Sequence, residues 1–246
     1  MSDRLPFLPP VDPSRGADAP PPTTVTPEML ASLLADGDDE LAAWTLRGAL
    51  AERRRAEVFD GLLRDAMGII GDRWAEGRWT VAEEHLASQA VVRALDRIRE
   101  EAGPAGRVGP LAVLAGVAGE HHGIGLACLD QVLREEGWTV ANLGPDVPSA
   151  DLARFLARNR AELVALTASL PERLDALREA IAAARAVRPD DPIPVIVGGA
   201  ITADPELVAG LHVDWAGTSL VAASAFAAAI HDRLADRPPA EVPELP

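Results

Sequence analysis

Apolar residues recur three and four apart from Pro27 to about Ala102, then gather into short contiguous runs, so the chain changes texture before its midpoint. The first stretch predicts helices over Met29–Ala35, Asp39–Ala51, Arg55–Glu76 and Val81–Glu101, joined by short polar breaks. Helices so closely connected pack most simply as an antiparallel four-helix bundle. The start of the last is marked by Thr80 and Glu83, the spacing of a capping box in which each residue satisfies a backbone N–H of the other.

After a linker, Gly103-Pro104-Ala105-Gly106, the apolar runs are Leu111–Val117, Thr139–Leu143, Leu163–Thr167, Pro194–Val197 and Val213–Ala216. Helical patterns near 124–136, 149–160, 171–187, 204–210 and 219–234 alternate with them. This alternation predicts an α/β domain with a doubly wound, flavodoxin-like or Rossmann-like parallel sheet of five strands. Ligands of such sheets bind outside the carboxyl ends of the strands.

The expected organisation is a proline-rich arm over 1–25, a helical cap over 26–103, an α/β domain over 107–235 and a tail over 236–246. The arm carries Pro6, Pro9, Pro10, Pro13 and Pro20 to Pro22, too many fixed φ angles and missing donors for a helix or a paired strand. It is too short and proline-rich for a winged helix-turn-helix.

At 246 residues, 48% hydrophobic, the chain can bury a substantial core. No run approaches the roughly 20 apolar residues of a spanning helix, and the start lacks the features of a secretory signal, so cytoplasmic residence is the default expectation. A single cysteine, Cys128, excludes an internal disulfide and a thiolate metal cluster, and reads as a small core residue. The net charge of −15 disfavours direct contact with nucleic acid or an anionic membrane.

The densest chemistry is Gly119-Glu120-His121-His122-Gly123-Ile124-Gly125, between the first strand and its helix. The chain holds only five histidines, and two stand here beside a carboxylate. A neutral imidazole offers one ring nitrogen to a metal while a carboxylate fixes the other, and glycine lets a bulky ligand approach the backbone. A solvated surface histidine is the alternative reading. Two further strand ends carry compatible features: Thr167-Ala168-Ser169-Leu170 offers hydroxyls, and Gly198-Gly199 removes side chains.

Together these residues resemble the cobalamin-binding fold, whose marks are Asp-x-His-x-x-Gly, Ser-x-Leu and Gly-Gly on successive strand ends. The resemblance covers 108–232, with the bundle as the family's cap. It implies that His122 is the lower ligand to cobalt, with Glu120, in place of the usual Asp, hydrogen-bonded behind it. It also implies that the displaced nucleotide tail runs past Gly125, with Thr167 or Ser169 near its base and room made by Gly198 and Gly199. His121 is adjacent, but the spacing to Gly125 selects His122.

In the cap, Trp74 continues a stripe of Leu63, Met67 and Ile70, and His85 shares a face with Val81, Val92 and Leu95, so both are expected to point inward. Core packing is one reading of each. Trp74, nine residues, then Glu84-His85 also resembles the signature of the cobalamin-dependent photoreceptors of the CarH and LitR type. That resemblance implies a tryptophan covering the upper face of adenosylcobalamin and a Glu-His pair at the adenosyl group. Ala75 stands where some of these photoreceptors carry a second histidine ligand.

The function expected is thus a cofactor-binding light sensor rather than an enzyme, with a protein partner downstream and a possible ligand-dependent homo-oligomer. The alternative is a corrinoid carrier of a methyltransferase system, holding methylcobalamin.

Overall fold

A computed structural model describes residues 25–101 and 109–236. The expected arm, linker and tail lie outside the described residues, apart from Val25 and Asp236. Packing groups the described chain into two compact units. One takes the helices up to Glu101 with His122–Val132 and Ser219–Val221; the other takes the described parts of Gly106–His121, Leu133–Thr218 and Ala222–Pro246.

The first unit contains α1 (Pro27–Ala35), α2 (Asp39–Leu50), α3 (Arg55–Val58), α4 (Arg64–Ala75) and α5 (Val81–Glu101). Their starts follow local chemistry. Thr26 accepts from the Met29 N–H at 3.3 Å ahead of Pro27, and Asp38 accepts from the Leu41 N–H at 3.0 Å. The capping box at Thr80 forms as expected: the Glu83 N–H donates to the Thr80 hydroxyl oxygen at 3.3 Å and the Thr80 N–H to the Glu83 carboxylate at 2.7 Å. Asp39 accepts from Arg97 at 2.7 Å and from Arg93 at 3.0 Å, tying α2 to α5, and these bonds hold its carboxyl below the usual range, Arg97 contributing most.

The core of this unit is built on Leu30, Leu34, Leu46, Phe59, Ile70 and Leu95, joined by Cys128 and Val132. Burial pushes the Cys128 thiol up to about 12, with the Asp60 carboxylate adding to the shift, so it is the inert core residue the sequence suggests.

One feature of this unit is not legible in the pattern of apolar positions. Between α3 and α4 the helix widens into a π turn over Phe59–Leu63. The wider turn buries Phe59, Leu62 and Leu63 together and leaves Asp60 free to reach another chain segment. The Asp60 carboxylate accepts from the Ser219 hydroxyl at 2.7 Å and from the Leu220 and Val221 N–H groups at 2.8 and 2.9 Å, capping a helix 160 residues away, and it is paired with Arg64. Asp60→Ala is expected to lower stability by about 2 kcal/mol, since a helix start loses its acceptors. A urea midpoint shift equivalent to less than about 0.5 kcal/mol would show that the cap contributes little.

The second unit is organised on a fully parallel five-stranded sheet. Its strands are β1 (Leu111–Gly116), β2 (Thr139–Asn142), β3 (Leu163–Thr167), β4 (Val195–Gly198) and β5 (Trp215–Ala216), in the order β2-β1-β3-β4-β5. The helices that follow the strands are α6 (Ile124–Glu135), α7 (Ser149–Asn159), α8 (Leu174–Val187), α9 (Pro205–Val208) and α10 (Leu220–Ala235). The fold is therefore the doubly wound α/β class with a helical N-terminal part, as the alternation of runs implies. Val113, Val164, Leu166, Val195 and Val197 pack in one cluster with Leu152, Leu156, Leu177 and Ile181 of α7 and α8. The alternate positions Ala112, Leu114, Leu163, Ala165 and Ile196 are equally buried, so both faces of the sheet are covered, which is why its strands read as unbroken apolar runs.

Two inward placements are corrected. The buried stripe of α5 is Ala87, Ala90, Val91, Ala94, Leu95 and Ile98, so the helix packs through its alanines and His85 lies off that face with its side chain 72% exposed. Trp74 does continue the spacing of Leu63 and Ile70, but α4 ends one residue later and the ring has no core to enter: it is 50% exposed.

Candidate functional site

The strand order reverses between β1 and β3, and in open parallel sheets that crevice is where ligands bind. Register aligns three strand ends there. Gly116 pairs with Thr167 and Thr167 with Gly198, so the carboxyl rim is crossed by a row bearing no side chain larger than threonine. Thr167 itself is buried, at 8% exposure. Gly199 follows with φ 95° and ψ 169°, a conformation essentially confined to glycine, and a Cβ there would overlap the Ala168 carbonyl and lie 2.7 Å from the Thr167 hydroxyl. The Gly-Gly pair is thus divided in purpose: Gly199 makes the turn, while Gly198 would carry a Cβ at ordinary contact distance, 3.8 Å from the Gly217 carbonyl.

Glu120 is buried at 1% exposure although it is a carboxylate in a loop. Its Oε2 accepts from the Ser169 N–H, so the residue after β1 is tied across the switch point to the loop after β3. This bond brings together two motifs that the sequence could only list as compatible. It also gives Ser169 a backbone role, while Thr167 presents its side chain toward Gly199 at the rim. No pattern in the residues signals Arg173, whose guanidinium lies where a Cβ on Gly119 would sit; Gly119 itself, at φ 78°, calls for glycine on its backbone conformation.

His121 and His122 are both exposed and lie just before α6, with Gly123 between. Gly125, in its first turn, is exposed too, and a Cβ added there would meet nothing within 4 Å. The histidine loop therefore places exposed imidazoles and an exposed glycine within a few residues of a buried carboxylate in the chain. Among the described residues no three His, Cys, Asp or Glu side chains group to hold a metal ion. A cobalt already held by a corrin brings its equatorial ligands and needs a single imidazole, so this donor set fits that group and not a bare ion.

Of the cap residues, Glu84 accepts from the Ser88 hydroxyl at 2.6 Å, and His85 Nε2 lies 3.6 Å from the Glu84 carboxylate. The turn between α4 and α5 is fixed by the Arg73 carbonyl, which accepts from the Arg78 and Trp79 N–H groups at 2.9 and 3.1 Å, and by the Arg73 guanidinium lying over the Trp79 ring at 5.3 Å. This turn holds the exposed Trp74 at its edge.

Comparison with known proteins decides the family. One model of the B12 binding domain matches residues 110–227, the whole sheet region, and another B12 binding domain model matches residues 27–99, the helices before it. The chain is a B12-binding-domain protein. Among curated relatives, this B12-binding chain is 32% identical over 188 residues to the HTH-type transcriptional repressor CarH of Myxococcus xanthus, a match covering 76% of it and 62% of CarH. It is 38% identical over 125 residues to CarA, an HTH-type transcriptional repressor of the same organism, covering 50% of it and 41% of CarA. The chain thus spans less than two thirds of either repressor. The solved structure of the monomethylamine corrinoid protein of Methanosarcina barkeri shares its fold, with a TM-score of 0.68 at 17% identity over 82% of this chain and 96% of that one. None of the described helices of this B12-binding protein is long and apolar enough to cross a membrane.

Proposed function

We propose that this protein is an adenosylcobalamin-dependent light sensor that holds its cofactor through His122. The observation that carries the sensor reading is the half-exposed Trp74, an indole kept out of the core, in the Trp74, Glu84, His85 pattern that resembles the photoreceptors. The likeness to CarA and CarH supports it.

When bound, adenosylcobalamin supplies a cobalt–carbon bond that light can break. His122 would donate a ring nitrogen to the cobalt, with Glu120 behind it as the buried carboxylate that fixes the loop. Gly125, Gly198 and Gly199 would leave room for the nucleotide tail, with Thr167 or Ser169 at its base. Trp74 would exclude water from the adenosyl face, and Glu84 and His85 would offer hydrogen bonds to it. Trp74, Glu84 and His85 would register the loss of that group as a change in their own packing within the helical cap, which a protein partner or a second copy of this chain would read.

The common fold with a corrinoid protein keeps one other reading in play, a carrier that presents methylcobalamin to a methyltransferase. Loading with adenosylcobalamin in the dark, followed by absorption spectra before and after green light, distinguishes them. The sensor is expected to bind the adenosyl form in preference to the methyl form and to change its spectrum on illumination. A red complex whose spectrum and hydrodynamic radius ignore light would remove the sensor and leave the carrier; no coloured complex would remove both.

A further inference from the structure

The loop after β2 reads in sequence as a plain turn, Leu143-Gly144-Pro145-Asp146-Val147-Pro148, and Asp146 in it is exposed. Nothing about burial explains its conformation. Its φ is +57°, in the left-handed region that a residue with a Cβ seldom adopts, although Asp tolerates it better than most. What that conformation does is place both polar ends of the residue on the histidine loop. The Asp146 carboxylate accepts from the Gly119 N–H at 2.7 Å, and the Asp146 N–H donates to the Glu120 carbonyl at 2.9 Å. The next residue is held as well: the Val147 N–H donates to the Gly116 carbonyl at 2.9 Å, and Val147 bridges Val117 in parallel.

Glu120 is then anchored at every polar group it has. Its N–H donates to the Val117 carbonyl at 2.9 Å, its carbonyl accepts from Asp146, and its carboxylate accepts from Ser169. Asp146 fixes Gly119 by holding its amide, with the Arg173 guanidinium packed where a Cβ would be. The chain leaves this clamped point and reaches His122 two residues later. A ligand histidine needs its backbone fixed because a misplacement of about 1 Å at a site loosens what it holds.

We infer that Asp146 is a positioning residue for His122, setting the departure of the histidine loop from the sheet edge by a charge-assisted bond to Gly119 and a backbone bond to Glu120. This rests on the reading of His122 as the cobalt ligand. The Gly119 bond depends on the side chain, so it can be removed while the left-handed turn is kept. Asp146→Gly does so, since glycine adopts that φ without strain, and Asp146→Asn keeps an acceptor oxygen at the same place.

The test uses the full chain with adenosylcobalamin in the dark as the probe, read by titration and by visible spectrum, with far-ultraviolet circular dichroism of the apoproteins alongside. Asp146→Gly is expected to bind the cofactor about tenfold more weakly and to lose histidine-ligated absorption, with its circular dichroism unchanged and exchange of the Gly119 amide faster. Asp146→Asn is expected to restore most of the affinity and spectrum. An Asp146→Gly protein with wild-type affinity and a wild-type histidine-ligated spectrum would overturn the assignment, as would an Asp146→Asn protein as impaired as Asp146→Gly. His122→Ala in the same series separates the two levels: if it too keeps the wild-type spectrum, the ligand reading has failed and not merely the role of Asp146.

Discussion

His122→Ala is expected to leave the fold intact and to abolish the histidine-ligated spectrum of the cobalamin complex, with affinity falling at least tenfold. The fold should survive because His122 is exposed and precedes α6 without belonging to the sheet or to either apolar cluster. The ligation should not, because, apart from His121, the donors nearby in the chain are already committed. Cys128 is buried and held protonated, and Glu120 has its Oε2 engaged by the Ser169 amide. His121→Ala is the matched control, expected to keep the spectrum. Should the two substitutions exchange their effects, His121 would be the ligand and the spacing to Gly125 would have misled.

Gly199→Ala is expected to be the most destabilising small substitution at the sheet edge, lowering stability by about 3 kcal/mol. Two effects add there: a backbone conformation that only glycine adopts readily, and a Cβ that overlaps the Ala168 carbonyl. Relief by local movement would pull the end of β4 away from β3, since the Ala168 N–H donates to the Gly198 carbonyl at 3.2 Å. Gly198→Ala makes the contrast. Its new methyl would sit at ordinary contact distance in the apoprotein, so stability should change by less than about 0.5 kcal/mol, while cobalamin uptake falls because the row of small residues is interrupted. Urea unfolding of the two apoproteins with unchanged slope reads the difference; equal midpoints would refute the division of roles between the two glycines.

Much of the architecture was legible because both periodicities are strong. Each of the five apolar runs overlaps a strand, the central β1, β3 and β4 being buried on both faces, and the capping box at Thr80 marks the start of α5 as written in the residues. The candidate loop was legible because histidine is scarce and its neighbours are small. What was illegible depends on tertiary packing. The face of α5 is set by three alanines whose low hydrophobicity gives little weight against Val81 and Val92, so the apolar spacing points His85 inward while the packed face leaves it out. Trp74 obeys the helical spacing and still lies outside, because spacing does not say where the packed partner stops. The reach of Asp60 and the clamp by Asp146 join residues far apart in sequence by bonds that leave no periodic trace, and the π turn at Phe59–Leu63 is a local widening that the spacing of apolar residues does not mark.

The buried thiol has a use of its own. Cys128 is the sole cysteine of the chain, and it is shut into the helical core in the protonated form. An alkylating reagent reacts with a thiolate that it can reach, so modification here must wait for the surrounding helices to part. Its labelling rate is therefore a clock for breathing of that core, readable by mass alone on unmodified protein, in darkness or under illumination, with or without cobalamin.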